Sequence, residues 1–170
     1  MREFLWRAIA RFLARPSVVS WLIEASVPYA HIYGKDGTLY MGRWWLFNPY
    51  CKTPGLRTWG EWLPSIRLHW ICRPDNEREL HDHPWNARTI ILKGWYEEER
   101  PLEETGELRY RARREVGYTG RLLFGQYHRI SEVSGGGVWT LFITWRKRGT
   151  WGFLVDGKKV PWREYLGEAA

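Results

Sequence analysis

Two histidines separated by a single residue, His81 and His83, stand in the run Leu80-His81-Asp82-His83-Pro84-Trp85, just ahead of a β-prone stretch at 88–96. In an extended chain successive side chains point to opposite faces, so both imidazoles look one way and Asp82 the other. Two neutral imidazole nitrogens converging on one point can hold a transition metal, at roughly 2.0–2.1 Å for zinc. The plain alternative is an ordinary polar strand end. A third ligand has to come from elsewhere, and His128, in Gly120-Arg121-Leu122-Leu123-Phe124-Gly125-Gln126-Tyr127-His128-Arg129-Ile130, is the best candidate. The chain between them is long enough for a hairpin that leaves the first strand and returns beside it. His69 shares a strand face with Arg67; if that face is the interior, His69 is a substitute ligand or a support for the ligands. Asp82 can orient a neighbouring imidazole or arginine from behind. His31, alone near a strand, reads as a surface or core histidine.

Other residue types near this cluster suit anion binding and proton transfer. Arg67, Arg88 and Arg129 are candidates to anchor an anionic group, since a guanidinium offers a planar fork to a carboxylate or phosphate. Strand alternation from His83 puts Ala87 on the ligand face and Arg88 off it, unless Pro84 introduces a bulge. Arg88, Tyr96 and Glu97 are the catalytic candidates, the last two as a general base.

The elements that must carry these residues are mostly strands. Seventeen Gly and nine Pro are dispersed along 170 residues with 13 Trp, which suits one all-β domain with many turns. Residues 3–14 place Phe4, Leu5, Ala8, Ile9, Phe12 and Leu13 at helical spacing, with Arg7, Arg11 and Arg15 between or beside them. This basic helix packs across the barrel or forms a homodimer contact, with a membrane surface or another partner as the alternative. Pro16 ends it, and Ser17 is placed to cap a second helix over 18–25. Residues 1–27 thus form a helical segment and 28–170 the β domain. A hairpin follows over 29–47, then a Pro- and Gly-containing loop over 48–63, a flap whose Tyr50, Trp59 and Trp62 can stack on a substrate or cover apolar wall. Acidic 97–107 faces basic 109–114 across a turn near Gly106, giving a charge-laced, solvated hairpin. The segment 161–166 docks as a short helix through Trp162 and Leu166.

Charge and cysteine usage set outer bounds. The net charge of +7 is a weak pointer to nucleic acid or anionic membrane. Arg146-Lys147-Arg148, between Trp145 and Trp151, reads as a solvated turn sooner than a single-strand binding site. Two cysteines, Cys51 and Cys72, are too few for a disulfide framework and favour a reducing, cytoplasmic setting. No apolar run is long enough to span a membrane.

Spacing across the two histidine segments resembles the cupin superfamily, small double-stranded β-helix (jelly-roll) barrels, over roughly 65–155. In its first motif a His-x-His pair is followed by a Glu and then a Gly; His81, His83 and Gly94 stand where expected, while the Glu position falls on Ala87 or Arg88. In the second, Gly117, Gly125 and His128 fit, but Leu123 replaces a Pro and Glu132 an Asn. Three imidazoles without the carboxylate look like the three-histidine iron site of the thiol dioxygenase branch. A closer likeness is to cupin-like proteins of bacteriophage and prophage genomes, carried by His-Asp-His-Pro-Trp, by 128–130, by Trp139-Thr140-Leu141-Phe142 and by Trp151-Gly152-Phe153; it brings no activity with it.

The resemblance implies a cupin barrel with one or two N-terminal helices and one divalent metal held by His81, His83 and His128, Fe(II) favoured, with Zn, Mn or Ni as alternatives. It implies a mononuclear non-haem metal enzyme, dioxygenase-like or an isomerase, acting on a small anionic molecule. The competing expectations are a non-catalytic ligand-binding or phage accessory module and a metal-free epimerase or isomerase. If phage-encoded, the protein works in the bacterial host cytoplasm.

Overall fold

The computed structural model describes residues 2–34, 36–50 and 56–167. Two helices, α1 (Arg2–Leu13) and α2 (Pro16–Glu24), precede β1 (Val27–Tyr33), β2 (Leu39–Phe47), β3 (Ser65–Ile71), β4 (Leu80–His81), β5 (Trp85–Lys93) and β6 (Tyr96–Pro101). Then come β7 (Arg109–Arg114), β8 (Thr119–Leu122), β9 (Arg129–Val133), β10 (Val138–Lys147), β11 (Gly152–Val155), β12 (Lys158–Pro161) and the short α3 (Trp162–Leu166). The strands form a six-stranded sheet in the order β1-β2-β3-β10-β5-β8 and two three-stranded sheets, β12-β11-β4 and β7-β6-β9. All named pairs are antiparallel. The architecture is a mostly β barrel of the double-stranded β-helix type.

The central strands of the large sheet, β3, β10 and β5, are buried on both faces, and period-2 alternation decides what goes where. One face turns Leu68 of β3, Ile90 and Leu92 of β5, and Leu141 and Ile143 of β10 toward the helices. There they meet Ala10, Val19 and Leu22, with Trp6, Ile9 and Leu13 packed alongside. The helices cover this face because the Ile9–Leu13 stripe has apolar partners there that water would otherwise occupy. The opposite face turns Arg67, His69, Thr89, Thr140 and Phe142 into the barrel.

Two details of the helices differ from the expected ones. α2 begins at Pro16, which pre-sets the first helical φ, and neither Arg15 nor Ser17 provides a side-chain cap. Arg88 lies on the helix-facing side of β5, buried, and its guanidinium grips Glu3 of α1 through two hydrogen bonds of 2.8 and 3.2 Å. It also donates to Thr119 Oγ1 at 3.1 Å and lies over the Trp6 ring at 4.6 Å. The residue read as a substrate clamp is thus the anchor of the N-terminal helix.

The β6–β7 hairpin carries the expected cross-strand ion pairs, but it is not uniformly solvated: Glu98 and Glu99 are buried. Gly94, at the β5–β6 turn, has φ 79°, and a Cβ there would meet Gly137 O at 2.6 Å. Two turns press together at that point, which only glycine permits. In the loop before β3, Tyr50 lines the barrel cavity although it, like Trp59 and Trp62, is exposed; Cys51 and positions 52–55 lie outside the described residues. Cys72 is free and half-buried. No helix among the described residues is long and apolar enough to cross a membrane.

Candidate metal centre and its cavity

The three histidines meet through backbone pairing. His81 N–H donates to His128 O and His128 N–H to His81 O, both at 2.9 Å, so a two-residue strand is clasped to the segment entering β9. His83 follows two positions later and turns the same way. The ring centroids lie 4.8 Å (His81–His128), 5.0 Å (His83–His128) and 5.3 Å (His81–His83) apart. Nε2 of His83 and Nε2 of His128 are 2.8 Å apart, and one nitrogen from each of the three rings lies within 4.8 Å of the others. Nitrogens bound at about 2.1 Å to one ion sit roughly 3–3.4 Å from each other, so small ring rotations convert this triad into a metal cage.

Electrostatics favour the ligand form of the rings. Burial lowers the His81 pKa to about 4, and the neighbouring His128 adds to the lowering while Asp75 opposes it. Burial, followed by His128 and His81, holds His83 well below its ordinary value. Both are therefore neutral at pH 7 with a lone pair to offer.

Carboxylates stand behind two of the rings. Glu98 Oε1 lies 3.2 Å from Nδ1 of His128, close but not ideally aligned for a hydrogen bond. Glu98 is itself held by Arg100 at 2.9 Å and Arg114 at 3.0 Å. Burial pushes its carboxyl up, yet the contacts with His128 and Arg100 outweigh this and bring it down to about 2. Asp75 Oδ2 is 3.8 Å from Nδ1 of His81 and accepts the Ile130 N–H at 2.7 Å, while Oδ1 takes the Tyr40 hydroxyl. Such partners turn Nε2 of a ligand histidine toward the ion and raise its basicity. Glu98 was legible in principle, because it shares a strand face with Tyr96; Asp75 sits in an irregular turn and carried no signal.

The triad opens on a cavity of about 510 Å³. Arg67, His69 and Tyr96 line it, as do Tyr50, Trp85 and Phe142. The Tyr96 phenol is pushed far up by burial and then by Glu98, so it is a hydrogen-bond donor and not a base at neutral pH. Glu97 points the other way, paired with Arg111 at 3.6 Å and Arg113 at 3.7 Å. Arg129 is occupied by Glu99 at 3.3 Å and the Glu77 carbonyl at 2.8 Å, outside the cavity lining. Asp82, fully buried, faces away from the rings: it accepts the Gly152 N–H at 2.8 Å and Lys159 Nζ at 2.5 Å, tying the histidine strand to β11. His31 accepts the Arg43 N–H at 3.0 Å and packs on Trp44, a structural role. Leu122, next to Ala87 and Phe142, closes one wall.

No protein-family model matches the sequence, and no curated protein is similar to it. Among solved structures the chain is similar to Fe(II)-HppE with the alternative substrate (S)-1-HPP, with a TM-score of 0.51, 12% identity, and coverage of 72% of this chain and 57% of that one. It is also similar to a serine-to-alanine mutant of Bacillus subtilis oxalate decarboxylase OxdC, with a TM-score of 0.52, 14% identity, and coverage of 88% of this chain and 33% of that one. The chain thus spans little more than half the length of the first and a third of the second. At these identities the likeness is one of fold. The barrel is a cupin fold, and a group of three histidines able to hold a metal lies inside it.

Proposed function

We propose that this protein is a mononuclear metal enzyme acting on a small anionic molecule, with His81, His83 and His128 as the protein ligands. The carrying observation is the convergence of three imidazoles, His128 buried and His81 and His83 half-buried, with no carboxylate among them, on one cavity. Ala87 is buried against Leu122 and Phe142, where the resemblance to cupins would place a fourth, carboxylate ligand. Three protein ligands leave coordination positions open. An ion there, Fe(II) by preference and Zn, Mn or Ni as alternatives, would supply Lewis acidity and sites for substrate or dioxygen, as in thiol dioxygenase-type cupins.

The chain's own residues have separate tasks in this reading. Glu98 and Asp75 fix the rings of His128 and His81. Phe142 and Trp85, packed on His83 with centroids 5.8 and 6.4 Å away, keep water off that side. Arg67 supplies the positive charge that the anionic substrate meets. The runs around His81, His128 and Trp151 support a place among the cupin-like proteins of bacteriophage genomes.

The 2.8 Å approach of two Nε2 atoms favours a second reading, a metal-free barrel in which His83 and His128 share a hydrogen bond and do acid-base work or merely line a binding site. Metal analysis of the purified protein, followed by oxygen uptake after Fe(II) loading, separates the two. About one equivalent of a transition metal per chain is expected. Protein that retains no metal after incubation with micromolar Fe(II), Zn, Mn and Ni supports the metal-free barrel.

A further inference from the structure

Strand β3 sends two polar side chains, Arg67 and His69, to the cavity face, and neither is satisfied by the protein. Arg67 is 2% exposed. Its guanidinium is enclosed by the rings of Trp45, Tyr50, Trp85 and Phe142, at 5.4, 5.0, 5.2 and 5.3 Å. One terminal nitrogen donates to the Tyr50 hydroxyl, but Nε has no partner, and no carboxylate among the described residues pairs with it. Nε2 of His69, whose ring stacks on Phe142 at 5.0 Å, is likewise buried and unpartnered.

A buried arginine without a counter-ion carries a heavy desolvation cost. It cannot relieve this by losing its proton at neutral pH. Aromatic faces return part of that cost but give the guanidinium no acceptor, so the site is built to be completed by an anion from outside. Its position fits a substrate: Phe142 packs on Arg67, His69 and His83 alike, and Trp85 on both Arg67 and His83. An anion on Arg67 therefore lies about one ring's width from the metal-binding histidines.

We propose that Arg67 and His69 form the carboxylate-binding subsite of this cavity, and that the ligand class is a small carboxylic acid with an apolar or aromatic body. The planar guanidinium edge suits two carboxylate oxygens, and the neutral imidazole adds an N–H without adding charge. Met41, Ile71, Ile130 and Phe153, which also line the cavity, suit an apolar body; Arg43 and Arg73 line it too, Arg73 held by Asn76 and, at 3.9 Å, by Asp36. This assignment deepens the enzyme reading by naming its substrate class, but the anion contacts do not involve the metal.

The test accordingly uses chelator-treated, metal-free protein. Phenylacetate, phenylacetamide and phenylphosphonate are titrated by calorimetry and by thermal shift against the wild type and against R67M and H69F. Phenylacetate is expected to bind the wild type, to bind R67M at least tenfold more weakly, and to bind H69F several-fold more weakly. The amide is expected not to bind. R67M, in which methionine fills the aromatic cage and removes an uncompensated charge, is expected to melt no lower than the wild type without ligand. A guanidinium serving only structure would give a lower melting temperature in R67M and no difference between acid and amide. Equal binding of acid and amide, equal binding by R67M and wild type, or phosphonate binding more than tenfold tighter than carboxylate each overturns the assignment. H69F reports independently should R67M fail to fold. Phenylacetate binding in a protein that never retains metal would remove the enzyme reading and leave this subsite standing.

Discussion

Glu98 of β6 and His128, the residue just before β9, face each other, with the carboxylate 3.2 Å from Nδ1 of the ring and 1% exposed to solvent. The acid behind the ring leaves Nε2 as the atom that meets His83, 2.8 Å away. Replacing Glu98 by Gln keeps the shape and removes the charge. Metal affinity is expected to fall 10–100-fold, a usual cost of losing such a partner, with the fold retained. Competition with a chromophoric chelator measures it; unchanged affinity in E98Q would mean that the ring is held by packing alone.

His83→Ala removes one of three ligands from a wall that rests on apolar packing elsewhere. Stoichiometric metal retention is expected to vanish while circular dichroism stays that of the wild type. Metal still bound at one equivalent would show that the ligand assignment is wrong.

Acid should weaken the metal-free protein earlier than carboxylate titration alone would. His69, lowered by burial and then by Arg67, and His81, lowered to about 4, both resist protonation when folded. Below pH 6.5 the unfolded chain takes up protons that the native barrel refuses, so stability falls as pH drops from 6.5 toward 4. The slope is up to about 1.4 kcal/mol per pH unit for each protected ring. Glu98, with its folded value near 2, acts in the same direction only below about 4.5. Melting curves of the chelated protein from pH 8 to 4 check this, and a flat profile between 6.5 and 4.5 counts against neutral buried rings.

The two partners of the Asp82–Lys159 pair should differ in what their loss costs. Asn at 82 can still accept the Gly152 N–H, and Lys159, about a third exposed, can turn to water and the Thr150 carbonyl. Lys159→Met instead strands a fully buried carboxylate. D82N is expected to cost about 1 kcal/mol and K159M about 3 kcal/mol in denaturant unfolding. The reverse order would mean that Lys159 does not offset the Asp82 charge in the folded protein.

Arg88→Leu tests whether α1 is held by this one side chain. A loss on the order of 1–3 kcal/mol is expected, with metal content unchanged, because the guanidinium faces the helix and not the cavity. A drop in metal content with α1 still protected from proteolysis would contradict that placement.

Alternation made much of the site legible before any coordinates. It put His81 with His83, Arg67 with His69, and, barring a bulge at Pro84, Ala87 inside with Arg88 outside, because a strand has a period of two. Alternation could not choose between Tyr96 and Glu97 and passed over Glu98, since three consecutive glutamates read as a solvated face until the partners of each were known. The sequence could not tell a guanidinium aimed at a substrate from one aimed at Glu3, 85 residues away along the chain.

Local residue types determined the strand-rich fold, the two N-terminal helices and the identity of the three converging histidines. The tertiary structure alone decided which charges were already spent: Arg88 on Glu3, Arg129 on Glu99, Asp82 on Lys159, and Arg67 on no described carboxylate. That division has a physical cause. Facing and periodicity are properties of a few neighbouring residues, whereas whether a buried charge is neutralised depends on which distant strand or helix closes over it.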